Sequence, residues 1–195
     1  MDNSSDMASA LRPVIEALER LNVRYYVGGS VAGSVHGIGR STLDVDVAAE
    51  LNSAQAVELI RSLGTAYYAS ESAALEAVRN GSCFNVIHLA SAFKVDIFVI
   101  GRRPFEQSVL DRAVVDSVGT SDPVSARVAT AEDIILLKLD WYRLSNMTSE
   151  RQWNDATTIA KLNAARLDRE YLKYWGETLQ ISHLVEQLLE KISVG

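Results

Sequence analysis

The sequence predicts an α/β or α+β layer sandwich that gives way to a purely helical C-terminal part. Three observations carry this. Helical and period-two apolar patterns alternate over the first half of the chain; a Gly-Gly break follows a short aromatic, β-branched run; and beyond about residue 130 only helical periodicity remains. The chain accordingly divides into an α/β core over 1–125 and a helical region over 126–195.

Taken in order, Leu11, Val14, Ile15, Leu18 and Leu21 recur at helical spacing and predict a helix over 9–22. Arg24–Val27 is a short strand, ended by Gly28-Gly29. Residues 30–37 suit a short helix, and 42–48 alternate as a strand, with Leu43, Val45 and Val47 on one face and Asp44 and Asp46 on the other. A helix over 53–63, a weak strand over 65–69 and a helix over 71–80 follow. Phe84–Leu89 and Phe93–Ile100 predict two strands of a hairpin. Helices are then expected over 131–145, 150–164, 168–179 and 182–192, with Thr130/Asp133 and Ser149/Gln152 as N-terminal capping pairs.

Composition narrows the function classes. Of 195 residues, 48% are apolar and 23% charged, ordinary globular usage. No apolar run is long enough to cross a bilayer, and the start lacks a basic segment followed by an apolar one, so the expectation is a cytoplasmic protein. The single cysteine, Cys83, excludes an internal disulfide and a thiolate zinc cage. A net charge of −6 argues against a broad DNA-binding surface, though Arg143, Arg151 and Lys161 would suffice for a local groove.

The chemistry concentrates in two places. Asp44 and Asp46, two apart on a strand, aim both carboxylates at one spot, an unfavourable arrangement unless a cation neutralises them. Hard divalent ions such as Mg²⁺ take such carboxylates together with substrate phosphates. Asp96 is the one acid in the apolar strand 93–100; if that strand lies beside the first, three carboxylates converge, enough for two metal ions. The alternative for Asp96 is a buried ion pair with Lys94 or Arg40, and for Asp44 and Asp46 a solvated edge-strand face. Gly28, Gly29 and Ser30 supply the complementary half, a turn whose backbone can approach the terminal phosphates of a nucleoside triphosphate, or a plain structural turn.

These residues resemble a known family. Gly29-Ser30, a spacer, Asp44-x-Asp46 and a later Asp96 look like the nucleotidyltransferase superfamily of polymerase-beta-like fold. Arg40-Ser41-Thr42-Leu43-Asp44-Val45-Asp46 is similar to the Arg-x-Thr-x-Asp-x-Asp form of its small members, among them the antibiotic nucleotidyltransferases, the minimal nucleotidyltransferases and the AbiEii-type toxins. The resemblance covers residues 25–100 and implies a mixed β-sheet flanked by helices. It implies catalysis at Asp44, Asp46 and Asp96, with these three also holding Mg²⁺, two ions in all, and nucleotide binding by Gly28, Gly29, Ser30 and Arg40. Glu132–Leu139 and Arg151–Asp155 are similar, more loosely, to AbiEii-like proteins, whose corresponding lysine and Arg-x-x-Asp-type helix line the nucleotide cleft; this adds Lys138 to the nucleotide-binding set.

Lys138 also stands out physically, because it shares a helical face with Ile134 and Trp141, where a lysine either snorkels outward or meets an anion. Asp155 is expected to partner Lys138 or Arg151, His36 to end a helix or sit in a loop, and Cys83 to carry no chemistry. The expected function is transfer of a nucleoside monophosphate from an NTP to a hydroxyl of an RNA, protein or small-molecule acceptor, in a toxin–antitoxin-like setting. The alternative is a catalytically silent nucleotide-binding or interaction module, an antitoxin or regulator held to a partner protein.

Overall fold

A computed structural model describes residues 3–39 and 42–193. Arg40, the expected phosphate or carboxylate contact, lies outside the described residues. The chain folds as α1 (Asn3–Arg20), β1 (Tyr25–Val27), α2 (Gly29–Val35), β2 (Asp44–Ala49), α3 (Ser53–Leu63), β3 (Tyr67–Ala69), α4 (Glu71–Asn80), β4 (Cys83–His88) and β5 (Phe93–Val99). It continues through α5 (Pro104–Arg112), β6 (Val114–Val118), β7 (Val124–Val128), α6 (Ala131–Leu144), α7 (Glu150–Asn163), α8 (Arg169–Thr178) and α9 (Ser182–Ser193).

One seven-stranded sheet runs β3-β4-β5-β2-β1-β7-β6. β2 lies parallel to β5 and β1 parallel to β7; the other pairings are antiparallel. This is the mixed sheet flanked by helices that the resemblance implied. One face of the central strands is apolar: Val45, Val47, Val95 and Ile97 are fully buried, as are Leu11, Val14 and Leu18 of α1, which packs on β2 and β5. The alternate residues of the same strands, Asp44, Asp46 and Ala48 on β2 and Lys94, Asp96 and Phe98 on β5, point to the other side. That side holds the site.

The helical part begins at Ala131, just after β7, which itself spans residues 125 and 126. Ile134, Ile135 and Leu139 of α6 pack with Ile159 of α7 and Leu188 of α9 in the same continuous core. Thr130 caps α6 as expected, its hydroxyl accepting from the Asp133 backbone N–H. Ser149 does not cap α7 with its side chain; its backbone carbonyl accepts from the Gln152 N–H at 2.9 Å instead.

Three elements lie where no pattern was read: α5, β6 and β7. β6 is a sheet edge with four of its five residues exposed, so burial leaves no period-two signature on it. Leu43 also departs from expectation, being 74% exposed just ahead of β2 instead of facing the core. Among the described residues no helix is long and apolar enough to cross a membrane.

Candidate active site

The parallel pairing of β2 with β5 sets Asp44 opposite Lys94 and Asp46 opposite Asp96. Strand alternation then puts all four side chains on one face, so Asp96, from a segment fifty residues further on, joins the Asp44/Asp46 couple. The glycine turn meets them from the neighbouring strand. The Gly28 N–H donates to the Asp46 carbonyl at 2.9 Å, and Gly29 adopts φ +59, a conformation that L side chains rarely take. A Cβ on Gly29 would overlap the Asp46 carboxylate, so glycine is required on both counts.

Around this junction lies a cleft of about 490 Å³, ordinary for a small-molecule site. The sheet supplies Tyr26, Asp46, Ala48 and Phe98 to its wall, the turn supplies Gly28, Gly29 and Ser30, and the helical part supplies Lys138, Trp141, Leu144, Arg151 and Gln152. The lining therefore mixes charged groups with apolar ones, Phe98, Trp141 and Leu144 among them, the last two more than half exposed.

The electrostatics follow from the crowding. Burial pushes the Asp46 carboxyl up to about 6, and the neighbouring Asp44 and Asp96 charges push in the same direction. Asp96 pairs with Lys94, whose Nζ stands 2.7 Å from Oδ2; the Asp96 Oδ1 atom is buried and has no hydrogen-bond partner. The ion pair named as the alternative role of Asp96 is thus present, alongside its convergence with Asp46. Asp44 is more open: the Thr42 hydroxyl donates to Oδ1 at 2.6 Å, and Lys94 Nζ is 4.0 Å from Oδ2. Among the described residues no three His, Cys, Asp or Glu side chains are grouped as a metal-binding cage. The donor set still suits a hard cation: carboxylate oxygens on one face, one raised in pKa by burial and then by its like-charged neighbours, and one buried oxygen with no donor.

Lys138 reaches the cleft, but its ammonium is committed. Nζ donates to Asp155 Oδ2 at 2.8 Å and lies 3.5 Å from Gln152 Oε1, with both charged side chains almost fully buried. The cation that touches the glycine turn is Arg151, whose Nη2 donates to Ser30 Oγ at 2.8 Å. His36 ends α2, its Nε2 2.7 Å from the Ala129 carbonyl oxygen. The Cys83 thiol is pushed up to about 11, by burial first, which leaves it protonated.

Sequence reasoning passed over the apolar lining and the residues that α5 brings, Arg103 and Glu106. Phe98 and Ile100 carried a signal, since they continue the Lys94/Asp96 alternation along β5; Arg103 and Glu106 carried none, because α5 itself went unread.

The comparisons agree with this geometry at the level of fold. No protein-family profile matches the chain, and no curated protein does either. Among solved structures, the chain is similar to an antigenic nucleotidyltransferase-like protein from Paracoccidioides brasiliensis, with TM-score 0.53 and 15% identity over 96% of this chain and 94% of that one. It is also similar to ANT(2'')-Ia in complex with adenylyl-2''-tobramycin, with TM-score 0.52 and 13% identity over 89% of this chain and 97% of that one. The chain has the nucleotidyltransferase fold along nearly its whole length.

Proposed function

We propose that the protein is a Mg²⁺-dependent nucleotidyltransferase, transferring a nucleoside monophosphate from an NTP to a hydroxyl of an RNA, protein or small-molecule acceptor. One observation carries this reading: Asp46 lines a cleft sized for a nucleotide beside the Gly28–Ser30 turn, and its register partner Asp96 lies next to it on the same sheet face. The fold shared with ANT(2'')-Ia, whose structure holds an adenylylated tobramycin, supports the reaction class.

In this reading Ser30 and Arg151 hold the terminal phosphates, with the Arg151 guanidinium supplying planar N–H donors suited to phosphate oxygens. Lys138, already neutralised by Asp155, positions α6 against α7 and adds a weaker field. Phe98, Trp141 and Leu144 offer apolar surface against which a base packs. Asp44, Asp46 and Asp96 are the residues that would hold Mg²⁺, and the ion supplies charge neutralisation at the triphosphate when bound. Asp96 is the carboxylate this reading assigns to taking the proton of the acceptor hydroxyl. The hydroxyl oxygen forms a bond to the α-phosphorus, the bond from that phosphorus to the bridging oxygen breaks, and pyrophosphate carries the electron pair away.

The Lys94–Asp96 pair favours a second reading, a nucleotide-binding module without turnover, because it already neutralises one of the three carboxylates. Pyrophosphate release with NTP and Mg²⁺ in an acceptor-containing extract separates the two. The enzyme reading expects release that Asp44→Ala and Asp46→Ala each abolish. Calorimetric NTP binding with no pyrophosphate released in any extract fraction would leave only the module.

A further inference from the structure

The cation nearest the carboxylates is part of the chain. Lys94 sits two residues before Asp96 on the same face of β5 and opposite Asp44 across the parallel pair. Its Nζ is 2.7 Å from Asp96 Oδ2 and 4.0 Å from Asp44 Oδ2, so one ammonium spans the two outer carboxylates of the cluster. The side chain is 37% exposed, on a flexible stem that can swing into solvent without uncovering the core.

Three carboxylates and one ammonium leave two negative charges, the complement of a single divalent ion. A carboxylate oxygen that accepts an ammonium proton cannot at the same time approach a Mg²⁺ or Mn²⁺ at the ~2.1 Å such ions require. Building on the reading of this site as a metal-dependent transfer centre, we infer that Lys94 is a tethered competitor for Asp96. It stands in for a metal ion when none is bound and lowers the affinity of the cluster for divalent ions, both by its positive charge and by occupying Asp96 Oδ2. Lys94 is a positioning residue in this scheme, acting through Asp96 and touching no substrate.

The test is Mn²⁺ binding to the full chain, followed by the EPR signal of free Mn²⁺ at one fixed alkaline pH and without nucleotide. Lys94→Gln is expected to bind Mn²⁺ about tenfold more tightly than wild type, the size expected for removing one like charge ~4 Å away under partial solvent screening. Lys94→Arg, which keeps the charge, stays near the wild-type value. The gain disappears in an Asp96→Asn background. Equal affinities for wild type and Lys94→Gln overturn the inference, as does a gain that persists without the Asp96 carboxylate. Should Lys94→Gln be less stable, the melting-temperature rise on adding saturating Mn²⁺ serves equally: a larger rise than in wild type supports the inference, an equal one overturns it. Equal affinities together with intact pyrophosphate release remove only the role of Lys94. Mn²⁺ uptake unaffected by Asp46→Asn removes the metal reading of the site as well.

Discussion

The Asp46 carboxylate lies against the Cα of Gly29, in the space where any other residue would carry its Cβ. That contact ties the acid on β2 to the turn that opens α2. Gly29→Ala is expected to displace the carboxylate and strain a backbone already at φ +59, costing about 1–3 kcal/mol of stability. Under the proposed function, in which Asp46 would hold the metal, displacing it by about 1 Å also predicts a loss on the order of 10²-fold in transfer rate. Denaturant titration and single-turnover assays check both; a variant equal to wild type in each would show that the contact constrains nothing.

The raised Asp46 carboxyl makes a pH prediction. Its folded pKa of about 6 lies above the ordinary 3.8, so the native state favours the protonated form. Its stabilising contribution is full below pH ~4 and is lost as the pH rises through about 6. Asp46→Asn, neutral throughout, should therefore be more stable than wild type by about 3 kcal/mol in mildly alkaline, metal-free buffer, with the difference fading below pH ~4. Stability curves across that range decide it, and a constant difference at all pH values would contradict the assignment.

Lys138 and Arg151 face the same cleft but are predicted to respond in opposite ways. Asp155→Ala leaves the Lys138 ammonium buried with only the 3.5 Å contact to Gln152, and should cost about 3 kcal/mol in stability. Arg151→Ala, at an exposed residue, should leave the melting temperature within about 2 °C of wild type while raising the KM for NTP at least about tenfold. Thermal melts and NTP titrations on the two variants separate the roles.

Behind the site, Arg112 of α5 holds α6 and α8 together. Its guanidinium stands 3.1 Å from Glu132 Oε2 and 3.6 Å from Asp133 Oδ2 and lies over the Tyr171 ring, while the Tyr171 hydroxyl donates to Asp133 Oδ1 at 2.6 Å. Arg112→Met uncovers two buried acids and should destabilise by about 3 kcal/mol near neutral pH. Burial already raises the Asp133 carboxyl, so the deficit should shrink as acid protonates it. Denaturant midpoints at two pH values test this, with NTP binding by the folded variant unchanged.

The fold was legible where burial writes a period. Val45, Val47, Val95 and Ile97 alternate with Asp44, Asp46, Lys94 and Asp96 because one sheet face is core and the other is cleft, and both strands were readable for that reason. α3 and α4 coincide with the predicted 53–63 and 71–80, since each ends where apolar spacing stops, at Gly64 and Gly81. The exposed edge β6 has no such record; β7 does, with Val124, Ala126 and Val128 buried between exposed Ser125 and Arg127, a period the sequence reading passed over along with α5.

The site was legible in part. Residue spacing placed two carboxylates on one face, but the approach of Asp96 depended on strand pairing, which no spacing encodes. The pairing of Lys138 with Asp155 is one of the two expected for that acid, whereas the arrival of Arg151 at Ser30, 121 residues away, is a product of how α7 sits against α2.

In the proposed function this cleft moves the α-phosphorus of an NTP. Parallel incubations with α-labelled and γ-labelled NTP, in an extract containing RNA, protein and small-molecule hydroxyls, test it most directly. Label from the α position is predicted to enter an acceptor, label from the γ position to leave as pyrophosphate, and both signals to vanish in Asp46→Ala. Transfer of the γ label, or α-label incorporation undiminished in Asp46→Ala, would contradict it.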